Sequence, residues 1–167
     1  MKKILINLLT FVVFVAVIVI LFLSLGKQEG AKYVYRGNNT YQSVPIKVNE
    51  YQCSTCNMNI EILEYAAEVI TKEGHTYFFD DIGCVILWLK DNKQEIEKVL
   101  TQTLDTHRWI EMKKAWYSRI APSPMGYGFA AVEEKKDTLI SYDEMRILML
   151  QGKNLHDPFV KKRLLGE

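Results

Sequence analysis

The sequence predicts an α+β protein in which one N-terminal transmembrane helix precedes a small exported domain of two similar αβ halves. Three observations lead there. An uncharged apolar run extends from Ile4 to Leu25. Behind it, β-branched and aromatic segments alternate with helical ones. A short pattern also recurs, in which methionine, an alanine pair, a charged turn, an apolar run and a helix follow one another. It begins at Met58 with Ala66-Ala67, and again at Met125 with Ala130-Ala131.

Only Asn7, Thr10 and Ser24 interrupt the apolar run. About 20 such residues match a bilayer core at about 1.5 Å rise per residue, and the polar stripe of a soluble amphipathic helix is missing. Lys2 and Lys3 precede the run and favour a cytoplasmic N-terminus, while Lys27, Lys32 and Arg36 follow it and weaken that bias. The run exceeds the roughly 7–15-residue core of a cleaved signal peptide, although Ser24-Leu25-Gly26 offers small residues for cleavage. Residues 1–25 therefore read as an uncleaved signal-anchor, single-pass in the cytoplasmic (inner) membrane, with the domain facing the periplasm. A domain on the cytoplasmic face is the alternative. Residues 26–47 read as a tether, 48–155 as the folded domain and 156–167 as a tail whose Lys161-Lys162-Arg163 cluster is solvated.

The 167 residues suffice for one domain and an appendage. Lysine and arginine number 21 and aspartate and glutamate 20, so the net charge of +1 offers no basic face for nucleic acid. Three cysteines, all behind the apolar run, are an odd set and too few for a disulfide scaffold. They are expected to do chemistry.

The elements follow in order. Leu63–Ile70 reads as strand or helix. Thr76–Phe79 reads as a strand, forming a hairpin with it across Lys72-Glu73-Gly74. Asp80 or Asp81 caps a helix that runs from Ile82 to Leu89 and resumes over Gln94–Leu100, as one long helix or a broken pair. Arg108-Trp109-Ile110 reads as a strand, Met112–Ile120 as a short helix, and Ala121-Pro-Ser-Pro124 as a loop. Gly126–Val132 is an expected strand, 133–137 a charged turn, and Tyr142–Leu150 a helix ended by Gly152.

Chemistry concentrates in Cys53-Ser-Thr-Cys56-Asn-Met58. Cys-x-x-Cys is a metal knuckle when further ligands arrive from elsewhere. Cys84, in the first turn of the capped helix, is placed to supply one, because free N–H groups there favour a thiolate. Knuckle, hairpin and helix-start cysteine outline a treble-clef site. Zinc would want a fourth ligand, for which His75 in the hairpin turn is the best candidate, with His107 and His156 further off. Met58 shifts the balance, since a thioether suits Cu(I) better than zinc. On an extended strand Cys56 and Met58 share a face, and Met125 is placed to close the site from its Pro-rich loop. Three readings stand: a Cu(I) carrier, a structural zinc module on Cys53, Cys56, Cys84 and His75, and a thiol–disulfide oxidoreductase using Cys53 and Cys56. No nucleophile–base pair or Gly-rich phosphate loop is evident, so an enzyme is not expected.

Cys53-x-x-Cys56-x-Met58, Phe79-Asp-Asp-Ile-Gly-Cys84, Asp105 with Trp109-Ile110, Ala115-x-Tyr117, and Ser123-Pro-Met125-x-x-Gly128-Phe-Ala130 occur in that order. As an ordered set over residues 50–135 this resembles the NosL family, the copper chaperones that accompany nitrous oxide reductase. The resemblance implies a membrane-tethered periplasmic Cu(I) carrier that delivers copper to nitrous oxide reductase through an ABC-type assembly complex. It implies Cys56 and Met58 as ligands, with Met125 as the third. In the mechanism expected for this chain, those three hold Cu(I), Cys53 and Cys84 act as support or exchange route, and Asp80 fixes the helix start near Cys84. Many members carry a lipobox cysteine; this chain has none there, and Asn57 replaces a common glycine.

Overall fold

The protein is described by a computed structural model covering residues 2–25 and 32–166. It is a mixed α+β chain that divides into two units, Met1–Gly30 and Ala31–Glu167. In the first unit, α1 (Lys2–Leu25) is one continuous helix. Among the described residues no helix is long and apolar enough to cross a membrane. The transmembrane reading of residues 1–25 draws no support here.

In the second unit β1 (Val34–Arg36), β2 (Ala67–Thr71), β3 (His75–Phe79), β4 (Ile96–Gln102) and β5 (Trp109–Glu111) form an antiparallel sheet ordered β1-β3-β2-β4-β5. β6 (Trp116–Ser118) and β7 (Ala130–Val132) pair separately. The helices are α2 (Ile82–Asp91), α3 (Tyr142–Leu150) and α4 (Pro158–Leu165). The β2–β3 hairpin turns at Gly74, whose φ of +75° is the left-handed conformation this turn requires. α2 packs its buried face, Ile82, Cys84, Val85 and Ile86, into the same core as Val69 and Phe79 of the hairpin.

Several expectations change. The helix stops at Asp91, with Asn92 as its C-cap, and Gln94–Leu100 belongs mostly to β4. Its pairing with β2 overrides the local helical preference. Met112–Ile120 is not a helix: a 3₁₀ turn over Met112–Lys114 leads into β6. The strand expected over Gly126–Val132 is confined to β7. The tether 26–47 is folded from Lys32 onward: Lys32 bridges Tyr51, β1 pairs with β3, and Val44 and Ile46 pack on Tyr51 and Phe78. The 156–167 tail contains α4, whose Val160 is buried.

The element order repeats. A 3₁₀ turn (Leu63–Tyr65), β2, β3 and α2 are answered by the 3₁₀ turn Met112–Lys114, β6, β7 and α3. Ala66-Ala67 therefore corresponds to Ala115-Trp116, and the alignment with Ala130-Ala131 is corrected.

One core group is charged in composition. Glu68 in β2 is 0 % exposed. Its Oε2 accepts from the Val44 N–H at 3.1 Å, and its Oε1 has no partner. Burial pushes its carboxyl up to about 8 from an ordinary 4.5. Between those values the folded chain holds a proton that the unfolded chain has lost. Stability therefore falls as pH rises through the window, by up to about 1.4 kcal/mol per pH unit. Glu68→Gln should remove most of that slope. Urea unfolding at about pH 5 and about pH 8 checks it, and equal slopes in the two proteins would refute it.

Candidate metal centre

Cys53 opens a tight turn in which its N–H donates to the Met58 carbonyl at 2.8 Å and the Asn57 N–H donates to the Cys53 carbonyl at 3.0 Å. Asn57 takes φ +63°, a conformation asparagine tolerates better than most residues. The Cys56 backbone acts to lower the Cys53 thiol and the Met58 backbone acts to lower the Cys56 thiol, as N–H groups do in a metal knuckle. The Ser54 N–H donates to the Phe78 carbonyl at 2.8 Å, tying the knuckle to the end of β3.

From there β3 leads directly into α2 through Asp80-Asp81, and the two aspartates diverge. Asp81 is the N-cap, accepting from the Gly83 N–H at 2.8 Å through Oδ1, while its Oδ2 accepts from the Met125 N–H at 2.9 Å. Asp80 is the residue that turns to the knuckle: the Cys56 thiol donates to its Oδ1 at 3.4 Å and its Oδ2 at 3.5 Å. The expectation that Asp80 fixes the helix start is corrected to Asp81. The Thr55 hydroxyl donates to the Cys84 carbonyl at 2.9 Å and draws the helix start to the knuckle.

The result is a cluster. One ligand atom each from Cys53, Cys56, Asp80 and Cys84 lies within 4.8 Å of all the others. A tetrahedral ion with bonds of about 2.0–2.3 Å spaces its donors roughly 3.3–3.8 Å apart, so a small contraction closes the set. Cys53 and Cys84 are fully enclosed in the main apolar core, and Cys56 is half-buried. The hydrogen bond with Cys84 holds the Cys53 thiol below its ordinary value. That same bond, with burial, drives Cys84 far up. Burial pushes Cys56 up to about 12. Of the three sulfurs, Cys53 is the one shifted toward thiolate, while Cys56 and Cys84 are shifted away from it. No family model, no curated protein and no solved structure matches the chain. The cluster therefore speaks through its own chemistry: three soft thiols and one carboxylate can hold a single thiophilic metal ion.

The other candidates are placed as follows. Met58, 45 % exposed, lines a cleft of about 350 Å³ with Asn59, Glu61, Ile62, Asp80 and Pro124, so thioether and cluster carboxylate share one opening. Met125 follows Pro124, is half-buried against the main core, and is held by its backbone to Asp81. The histidines lie outside the cluster. His75 starts β3 opposite Arg36 and pairs with Glu73 at 3.6 Å, so the fourth group beside the three cysteines is Asp80. His107 sits in a left-handed turn at φ +53°, and His156 bonds the Met125 carbonyl at 2.6 Å. The sequence alone does not point to Asp80 as a donor, because one aspartate is enough to cap a helix. The second of the pair was the available signal.

Proposed function

We propose that the domain binds and hands on one Cu(I) ion, as a carrier without catalysis. The observation that carries this is the convergence of Cys53, Cys56 and Cys84, with only Cys56 partly open and the Met58 thioether in the cleft beside it. Soft donors select Cu(I). Two enclosed sulfurs hold the ion, and the open side lets an acceptor's soft ligand approach Cys56. Met58 and Met125 serve the entry side. By the resemblance to the NosL family, the client is nitrous oxide reductase with its ABC-type assembly complex. The Ile4–Leu25 run anchors the chain in the inner membrane with the domain on the periplasmic side.

A second reading rests on Asp80. A carboxylate beside three thiols completes a closed four-donor set that suits zinc. Thiol–disulfide exchange is disfavoured, because the lowered thiol, Cys53, is enclosed and the reachable one, Cys56, is raised.

The deciding experiment titrates the reduced full-length chain in detergent, anaerobically, with Cu(I) against a competing chelator and with Zn(II) in parallel. Tight Cu(I) at one per chain is expected. Met58→Leu should weaken Cu(I) by about tenfold or more and spare zinc, and Asp80→Asn should do the reverse. Tight zinc, weak copper and unfolding on chelation would instead mean a structural zinc module. Metal must also displace the protons of Cys56 and Cys84. Affinity should therefore rise with pH near neutrality, because thiol protons leave as the ion binds. A titration series across pH checks this, and a flat profile would contradict it.

A further inference from the structure

The turn after β4 repeats the metal knuckle atom for atom in its backbone. The Thr103 N–H donates to the Arg108 carbonyl at 3.1 Å and the His107 N–H to the Thr103 carbonyl at 3.1 Å. These are the bonds of Cys53 to Met58 and of Asn57 to Cys53. His107 and Asn57 share the left-handed conformation. Gln102 pairs with Trp109 as Gln52 pairs with Asn59. The Leu104 N–H donates to the Ala131 carbonyl at 2.9 Å, as Ser54 does to Phe78. Burial follows the same order along both turns, with Thr103 enclosed like Cys53 and Thr106 half-buried like Cys56.

The side chains keep the geometry and change the chemistry. Thr103 and Thr106 hydroxyls lie 2.8 Å apart where the first turn has two thiols. Glu133 follows β7 as Asp80 follows β3, and its Oε2 accepts from Thr106 at 2.6 Å, as Asp80 accepts from Cys56. At the Met58 position stands Arg108, whose Nη2 donates to Glu133 Oε1 at 2.7 Å. Among the described residues no counterpart of Cys84 approaches: β7 is followed by a longer connection, residues 133–141, before α3.

We propose that the Thr103–Arg108 turn with Glu133 is a non-binding twin of the metal knuckle, in which the exposed Arg108 guanidinium pairs with the carboxylate where, on the proposed function, the first turn takes a soft metal ion. Hydroxyls are poor ligands for such an ion, and a fixed cation already neutralises the carboxylate. This rests on the proposed function: the chain would then take one ion at the first knuckle and none at the second. Its second half is a latent site for a soft monovalent cation such as Cu(I), which two thiolates and a thioether would hold.

The test compares full-length chains titrated anaerobically with Cu(I) against a chelator and reads the difference in stoichiometry. T103C/T106C/R108M should bind one ion per chain more than the wild type, whatever the wild type binds. The outcome is therefore independent of the first site. A folded triple variant with both new thiols reactive but no added ion would overturn the proposal. T103C/T106C with Arg108 retained should gain no ion, and this variant disturbs least should the triple fail to fold. A full extra ion in that double variant would show that the guanidinium does not occupy the metal's place, and would equally overturn it.

Discussion

Replacing Cys84 by alanine is expected to lower Cu(I) affinity by more than about 100-fold while the domain stays folded. Loss of a mere outer-shell partner typically costs about 10–100-fold, and Cys84 lies within the cluster itself, where the proposed function makes it a direct donor. It also carries the hydrogen bond that keeps the Cys53 thiol low, so its loss weakens a second ligand. The structural cost is modest, because a buried free cysteine packs as a small apolar side chain, and alanine removes one atom from an otherwise unchanged helix. Chelator competition with parallel thermal melts would check both halves. Affinity within about tenfold of wild type would exclude Cys84 as a ligand.

Gly128→Ala is expected to destabilise the domain by about 3 kcal/mol or more, from left-handed strain and overpacking together. Gly128 has φ +88°, and a Cβ there would lie 2.6 Å from Leu155 Cγ and 2.7 Å from the Arg119 carbonyl oxygen. The carbonyl is backbone and cannot swing aside. Gly128 also donates to Ser123 Oγ at 3.2 Å and accepts from the Ala121 N–H at 2.9 Å, so the 121–128 loop moves with it. That loop holds Met125 against Asp81 and lays the Tyr127 ring over Gly83. Gly152→Ala is the control: its φ is +71°, but nothing lies within 4 Å of the added carbon, so only about 1 kcal/mol of strain is expected. Urea unfolding of the two variants should separate them clearly, and similar losses would refute the steric account.

What could be foreseen was local. The hairpin across Gly74, the helix cap before Ile82 and the Cys53–Cys56 knuckle announce themselves within a few residues, and they place Cys84 beside the knuckle. What escaped is non-local. Residues 94–100 carry helix-favouring Lys, Gln and Glu, yet β2 needs a partner on its open edge and draws them into a strand. Polar residues 32–47 look like a linker, but the Val44 N–H answers a buried carboxylate far along the chain. Asp80 and Asp81 are indistinguishable as letters. Only the change from strand to helix between them sends one to the knuckle and the other to the helix end and the Met125 loop.

The bond from the Ser54 N–H to the Phe78 carbonyl has a consequence for how the chain matures. It locks the knuckle to one position along β3, the strand that leads into Asp80 and α2. A slip of one residue would reverse the faces of the strand, carry Asp80 away from Cys56 and shift Cys84 by one helical position. The thiols would then be present but scattered. On the proposed function, metal uptake would then work as a proofreader: only chains with the knuckle correctly seated could take the ion, and binding would draw the equilibrium toward them.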